Sequence, residues 1–375
     1  MSANSLTPDQ ISDLVSKFRI DAEIVSIQSF GSGHINDTYR VINCDPGGRD
    51  YLLQRINHYV FKNVPQLMSN IVHVTGHLRK KLSGLPIAVI EKSVLTVIDT
   101  KDGKPFYKDT DGNYWRMFYF LKNTKSYDLV TTEKQAFEGG KAFGAFQAML
   151  ADLEVSEVKD TIPNFHNIEY RLANLEKAVE VDKGGRVNEV RPEIEFIRQR
   201  AYAMSDILRS GRAGDLPLRI VHNDTKFNNV LLDSDDKAQC VIDLDTVMPG
   251  YVAYDFGDSI RTIINTAAED EPNPDAIALN IPLFEAYTRG YLQEAKAFLT
   301  ETEVDSLIKG VLLLPYIQAV RFLTDYLEGD IYFKIHSPVH NLQRTKAQLA
   351  LVKKLEQNLE LLEKIINDTW QSFRT

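Results

Sequence analysis

An excess of positive charge is the first thing this chain lacks. Its 375 residues carry 43 Lys and Arg against 52 Asp and Glu, a formal net charge of −9, and the acids are dispersed rather than gathered in blocks. Nucleic-acid binding needs a basic footprint, so the composition argues against that class of partner. Cysteine is nearly absent too. Cys44 and Cys240 stand alone and far apart, which excludes a disulfide framework and is expected of reduced thiols in a reducing compartment. The eight histidines show no metal-ligand spacing; His336 and His340 are four apart, but Pro338 between them breaks a helical face. Long apolar runs are missing as well. Val311-Leu-Leu-Leu-Pro-Tyr-Ile317 is short and holds Pro315, and the first residues show no basic segment followed by an apolar core. The expectation is a cytoplasmic monomer with no membrane and no nucleic-acid partner. A hydrophobic share of 43% with 25% charged residues is ordinary for a globular protein, and 375 residues is long for one core, so two lobes are expected.

The stretch that carries chemistry is Ile220-Val-His-Asn-Asp-Thr-Lys-Phe-Asn-Asn-Val-Leu-Leu232, followed by Val241-Ile-Asp-Leu-Asp245. Asp224 stands five residues before Asn229, and Asp243 fourteen residues after that Asn, with short apolar runs alongside that read as buried strands. Phosphoryl transfer from ATP calls for this set. The transferred group passes through a loose transition state, so a protein chiefly positions the reactants and neutralises charge. One carboxylate orients the acceptor hydroxyl and takes its proton, a role that suits Asp224. A second carboxylate and an amide oxygen hold Mg²⁺, a hard ion, against the phosphates, and Asp243 and Asn229 suit that role. Lys226 can reach the γ-phosphate as a point charge, and His222 is expected to brace the loop backbone. Asp245 is read as an acid behind the metal rather than a direct ligand. For His-Asn-Asp alone the plain alternative is a loop of capping side chains; the register with Asn229 and Asp243 is what favours a kinase. Asp255-Phe-Gly257 spells the metal motif of protein kinases, yet no apolar strand runs into it. Asp255 is instead expected to bond the catalytic loop or to cap a helix from Phe256 to Asn265, in which Asp258 and Arg261 can pair.

Around this motif the chain reads as a β-rich first third and a helical remainder. Thr7 is expected to cap a helix from Pro8 to about Phe18, and Ile24 to Phe30 reads as a strand. Thr38–Asn43 and Tyr51–Ile56 read as a hairpin, Val64–Leu82 as a helix, and more strands flank turns at Asp102-Gly103 and Asp111-Gly112, the last running from Tyr114 to Leu121. Helices are expected over Glu133–Leu150, Pro192–Ser210, Leu283–Ala297, Thr302–Tyr326 and Thr345–Thr369. The fold class is therefore α+β, a bilobal protein-kinase-like fold. Residues 1–121 would form the nucleotide-binding lobe and 122–375 the catalytic and substrate-binding lobe. ATP would lie in the cleft, with Phe120 and Leu121 in the hinge that meets adenine, and Gly31-Ser32-Gly33 letting backbone amides approach the phosphates. Gly31-x-Gly33 alone is more often a hairpin turn. One part of the generic pattern is missing. The strand lysine that holds phosphates is replaced by Gln54, and the helix Val64–Leu82 contains no Glu to pair with it. Gln54 or Arg55 is the candidate substitute.

His222-Asn-Asp-Thr-Lys-Phe-Asn-Asn229 resembles the catalytic loop of the aminoglycoside and choline phosphotransferase superfamily. Together with Gly31-Ser-Gly-His-Ile-Asn36, Ile242-Asp-Leu-Asp-Thr-Val-Met-Pro-Gly250, Asp255-Phe-Gly-Asp-Ser-Ile-Arg261 and Arg321-Phe-Leu-Thr-Asp-Tyr-Leu-Glu-Gly-Asp-Ile-Tyr-Phe333, it is similar to the N-acetylhexosamine 1-kinases, over nearly the whole chain. Gln54 also fits that resemblance. What it implies is ATP- and Mg²⁺-dependent phosphorylation of the anomeric hydroxyl of N-acetylglucosamine or N-acetylgalactosamine. His34, Asn36, Asp224, Arg321 and Tyr332 would face the sugar, and Asn229 and Asp243 would hold the metal. Plain alternatives stand beside three of these: an ion pair with Asp325 for Arg321, core packing for Tyr332, a solvent-facing loop for His34. Choline, an amino alcohol or an aminoglycoside is the rival acceptor, with Asp325, Glu328 and Asp330 as its candidate acidic pocket. A nucleotide-binding pseudokinase is the third reading.

Overall fold

The computed structural model describes residues 7–31 and 35–374. In the first third, α1 (Pro8–Val15) leads into β1 (Ile24–Ser29), β2 (Asp37–Asn43) and β3 (Tyr51–Ile56). Then come α2 (Val64–Lys81), α3 (Ile87–Ser93), β4 (Val97–Ile98), β5 (Tyr107–Lys108) and β6 (Tyr114–Tyr119). The strands form one antiparallel sheet in the order β1-β2-β3-β6-β4, with β5 also on β6. Its register sets Thr38 against Gln54 and Gln54 against Arg116. Asn63 caps α2 by accepting from the Gln66 amide, and three basic residues in the last turn complement the helix dipole. Leu67, Met68, Ile71, Val74 and Leu78 of α2 share one core with Phe118 of the sheet and with Phe146, Ile220 and Leu244 of the second half. Apolar burial thus joins the halves behind the cleft.

The remainder is helical, interrupted by two short strand pairs. Its helices are α4 (Glu133–Leu150), α5 (Ile168–Val181), α6 (Arg191–Met204), α7 (Asp206–Ala213), α8 (Val252–Ile263), α9 (Ile281–Ala295), α10 (Glu301–Glu328), α11 (His340–Gln357) and α12 (Leu359–Ser372). The strands are β7 (Arg219–Val221), β8 (Val230–Leu232), β9 (Ala238–Val241) and β10 (Met248–Gly250), paired as β7–β10 and β8–β9, both antiparallel. An antiparallel sheet followed by a helical part is the α+β arrangement of a kinase-like fold.

Glycines let two helix pairs approach backbone to backbone. A Cβ on Gly140 of α4 or Gly290 of α9 would collide with main-chain atoms of the other helix, and the same holds for Gly257 of α8 and Gly310 of α10. These contacts hold α4 and α8 where they serve the site described below. Helix α10 opens on a capping box, in which Thr300 Oγ1 accepts the Glu303 amide and Glu303 Oε2 accepts the Thr300 amide.

Several elements differ from expectation, each for a local reason. Helix α10 covers the expected Thr302–Tyr326, Pro315 included, and extends it to 28 residues. By length and composition α10 is apolar enough to cross a membrane, but 72% of its most apolar window is buried inside the protein. The expected helix Pro192–Ser210 is two, broken at Ser205, whose hydroxyl turns back to the Ala201 carbonyl (2.9 Å). The expected helix Thr345–Thr369 starts at His340 and breaks at Asn358, whose Nδ2 donates to the Lys354 carbonyl (2.9 Å). Helix α8 begins at Val252, ahead of Phe256, and α3 and α5 were not foreseen. Helix α1 stops at Val15, and Phe18 goes on to bridge Thr100 instead.

Candidate active site

The loop after β7 carries Asp224 and is tied down on three sides. Asp255, in the first turn of α8, accepts the His222 amide on Oδ2 (2.8 Å) and the Asn223 amide on Oδ1 (2.7 Å). Gln147 of α4 donates to the same Oδ2 (2.7 Å), and Tyr291 of α9 donates to Gln147 Oε1. The close α4–α9 packing therefore ends in a hydrogen-bond chain that aims Asp255 at the loop. Thr225 and Ser259 complete the strap, with Thr225 Oγ1 donating to the Asp255 carbonyl and Ser259 Oγ to the Thr225 carbonyl (2.8 Å). Asn223 takes a left-handed φ of 64° and donates from Nδ2 to the Thr246 carbonyl (3.1 Å). His166 Nε2 holds the Asn223 carbonyl (2.9 Å). Asp255 is thus the loop-bonding acid expected of it.

His222 joins the two halves of the motif. Its Nε2 donates to the Ile242 carbonyl (2.9 Å) and its Nδ1 accepts the Asp224 amide (3.3 Å), which fixes the neutral tautomer with the proton on Nε2. Ile242 N also donates to the Asn229 carbonyl (2.9 Å). These bonds bring Asp224, Asn229 and Asp243 to one end of the cleft. Asn229 Nδ2 donates to the Asp224 carbonyl (2.9 Å) and to Asp224 Oδ2 (3.3 Å), which leaves its amide oxygen as the atom that could ligate. Lys226 Nζ lies 3.4 Å from Asp224 Oδ1. Burial pushes the Asp224 carboxyl upward, but the Lys226 ammonium first, with the Arg261 guanidinium after it, outweighs that and holds it below the usual range. It is therefore ionised at neutral pH, as a base must be. Asp243 has a left-handed φ of 58° and lies at the cleft surface. Enclosure between the halves, then repulsion from Asp245 and Asp224, pushes its carboxyl up to about 7. A cation beside it would reverse that shift. Among the described residues no cluster of three or more His, Cys, Asp or Glu is placed to hold a metal. The Asn229 amide oxygen and the Asp243 carboxylate form a hard-oxygen pair that suits Mg²⁺, with phosphate and water oxygens completing its shell.

The gap left by the missing strand lysine is filled from the next strand. Arg116 of β6 is 2% exposed and pairs with the buried Asp245 through its two terminal guanidinium nitrogens, Nη2 to Oδ2 at 3.0 Å. Its Nε donates to Gln54 Oε1 (2.9 Å), and Gln54 Nε2 donates on to Thr38 Oγ1 (3.1 Å). Arg55, the other candidate, pairs outward with Asp37. Sequence reasoning missed Arg116; the available signal was a lone cation inside the aromatic strand Tyr114–Tyr119. Asp245 is buried, with both carboxylate oxygens bonded to Arg116. Its Oδ2 also accepts Asn36 Nδ2 (2.8 Å), while Asn36 Oδ1 accepts the Asn57 amide (2.9 Å), so Asn36 keeps one N–H and one lone pair for a substrate.

At the hinge, Phe120 N donates to the Asp50 carbonyl (2.9 Å), and Thr124 Oγ1 donates to the Leu121 carbonyl (2.8 Å). Among the described residues the Phe120 carbonyl and the Leu121 amide have no partner, as a strip that meets adenine requires. The Phe120 ring stands edge-on to Phe30 at 5.1 Å, just before Gly31, whose φ is 79°. Ser32, Gly33 and His34 lie outside the described residues.

On the far side of Asp224, Arg321 of α10 does not pair with Asp325. Asp325 instead accepts the amides of Ile331, Tyr332 and Phe333 and the Asn341 side chain. Arg321 Nη1 donates to Gln318 Oε1 (2.9 Å), and its guanidinium faces the rings of Phe165, Tyr332 and Phe333. Tyr332 is 61% exposed rather than packed in the core.

A kinase-like fold with an ionised aspartate paired to a lysine, and an amide and a second carboxylate brought up beside it, is the arrangement of a phosphotransferase. The phosphotransferase enzyme family model matches residues 26–298, and the chain belongs to that family. Solved structures share the fold at low identity. An aminoglycoside phosphotransferase from Alicyclobacillus acidocaldarius is 13% identical, with a TM-score of 0.59 over 99% of this chain and 97% of its own. A choline kinase from Cryptosporidium parvum is 14% identical, with a TM-score of 0.58 over 97% and 99%. A spectinomycin phosphotransferase in complex with ADP and spectinomycin is 11% identical, with a TM-score of 0.58 over 94% and 100%.

Proposed function

We propose that this phosphotransferase uses ATP and Mg²⁺ to phosphorylate the anomeric C1 hydroxyl of an N-acetylhexosamine, N-acetylglucosamine or N-acetylgalactosamine. Asp224 takes the hydroxyl proton, and Lys226 both keeps Asp224 ionised and offers a cation to the transferred group. Asn229 and Asp243 would hold Mg²⁺, which supplies charge neutralisation at the phosphates. Arg116 fixes Asp245, and through it the segment that carries Asp243. Asn36, Arg321 and Tyr332 would meet the sugar, and the Phe120–Leu121 strip the adenine edge.

One observation carries the choice of a neutral sugar over a cationic acceptor. The rings of Phe165, Tyr332 and Phe333 form the kind of aromatic surface that binds a quaternary ammonium. That surface is already taken by the Arg321 guanidinium, 5.6, 6.0 and 5.4 Å from the ring centroids. The candidate acidic pocket is dispersed as well. Asp325 is spent on backbone amides, Asp330 pairs with Arg186 (2.7 Å), and Glu328 lines a groove with Lys177 and Lys183. A hydroxyl-rich acceptor fits a wall of rings and guanidinium donors. The test is incubation with ATP and Mg²⁺ across N-acetylglucosamine, N-acetylgalactosamine, choline, ethanolamine and kanamycin, read by phosphorus NMR. A phosphate resonance coupled to the anomeric proton is expected. Turnover of choline or kanamycin without any hexosamine would sink the proposal.

A further inference from the structure

Arg171, the fourth residue of α5, and Arg321 of α10 meet at Phe165, whose carbonyl accepts from Arg171 and whose ring lies 5.6 Å from the Arg321 guanidinium. Arg171 Nη2 donates to the Phe165 carbonyl (3.0 Å), while its Nε is buried and has no partner. Among the described residues neither Arg171 nor Arg321 forms an ion pair. In the same half of the molecule, Arg186 holds Asp330, Arg200 holds Glu356, Arg219 holds Glu303, and Arg261 holds Asp258 and Glu269. Burial first and the Arg321 charge next bring the Arg171 pKa down to about 10. A half-buried cation with a like charge near it and no acid to pair with is costly, and so is a buried N–H without an acceptor. A guanidinium is a planar fork of donors, and its natural partner is an sp² oxygen. The position is also informative. Arg171 grips the carbonyl of Phe165, and the next residue, His166, grips the carbonyl of Asn223, which directly precedes the base. The pair is therefore linked, through Phe165 and His166, to the loop that carries Asp224.

We propose that Arg171 and Arg321 together form a subsite for a carbonyl oxygen of the acceptor, so that Arg171 is a specificity-determining residue. On the functional reading above, on which this rests, that oxygen belongs to the acetamido group of the N-acetylhexosamine. A hexuronate carboxylate has the same chemistry and is the other source to distinguish.

The experiment compares kcat/KM for N-acetylglucosamine, glucose and glucuronate in the wild-type protein, R171M and R171K, with ATP KM and thermal melting as controls. The wild type is expected to prefer N-acetylglucosamine over glucose by about 10²-fold or more, because a site built to bond a polar group discriminates against an acceptor that lacks it. R171M is expected to lower kcat/KM for N-acetylglucosamine by about 10- to 100-fold, through KM, with glucose and ATP unchanged. R171K, which keeps the charge and loses the fork, should fall between. An equal loss on both sugars, or a rise in ATP KM, overturns the subsite while leaving the hexosamine reading intact. Glucuronate as the best substrate, with its preference lost in R171M, keeps the subsite and overturns the acetamido assignment. An R171M protein that does not fold leaves R171K to decide: unchanged selectivity in R171K overturns the subsite.

Discussion

Two walls flank Asp224, and they are built by opposite rules. On the catalytic side nearly every polar group is tied to another. Asp255 receives two loop amides and Gln147, His222 spans to Ile242, and Arg116 is matched to Asp245. On the acceptor side Arg171 and Arg321 are held without an acid, Arg171 Nε is orphaned, and Tyr332 stands open to solvent. On the proposed function the tied wall would need no rearrangement when nucleotide and metal arrive, which is what electrostatic preorganisation requires. The untied wall keeps its bonding capacity for the one component that decides specificity. Chemistry is set before substrate enters, and recognition is completed by it.

The largest effects should come from the tied wall. Asp224→Ala is expected to cut kcat by about 10²- to 10⁴-fold, as removal of a general base does, with thermal melting unchanged. A near-normal kcat would remove the base from the scheme. Arg116→Ala leaves Asp245 buried and uncompensated and should cost about 3–5 kcal/mol in chemical denaturation. Arg171 offers the contrast. Removing an unpaired cation relieves repulsion, so R171M should melt at or above the wild-type temperature. Equal destabilisation by the two substitutions would erase the distinction between the walls.

A middle-sized effect tests how the fold reaches the tied wall. Gly310 meets the backbone of Ala253, two residues before Asp255. Gly310→Ala forces α8 away from α10 and should cost roughly 1–3 kcal/mol by overpacking. Because α8 carries Asp255, kcat should fall as well. A destabilised Gly310→Ala protein with unaltered kcat would show that the loop does not depend on helix placement.

How much of this was legible in the sequence follows from the same contrast. The catalytic loop was readable because its parts are contiguous and spaced by strand ends: Asp224, Asn229 and Asp243 are spelled in order, and Asp255 could be demoted because no apolar strand runs directly into it. Arg116 was not readable, since its partner Asp245 lies across the cleft and its role exists only once Gln54 has come into register beside it. Arg171 was missed with α5 itself. The breaks at Ser205 and Asn358 were hidden because their side chains bond the preceding turn, so polarity and periodicity continue through them.

His166 is where the walls meet, and its titration gives the smallest and most specific test. Its Nε2 holds Asn223 on the tied side, and its neighbour Phe165 holds Arg171 on the other. Burial, far ahead of the other influences, brings its pKa down to about 4 from the ordinary 6.5, so the folded protein keeps it neutral. Unfolding below pH 6.5 therefore takes up a proton that the native state excludes, and stability rises with pH across this window. The contribution is fully present above pH 6.5 and is lost as pH falls toward 4, amounting to roughly 3 kcal/mol at the acid end. In His166→Gln the amide can still donate to the Asn223 carbonyl but cannot take up that proton. Wild-type stability should therefore fall more steeply than the variant's between pH 6.5 and 4.5, with the two close together at pH 8. Parallel curves would mean that His166 titrates freely in the folded protein, and that the joint between base and acceptor wall is open to water.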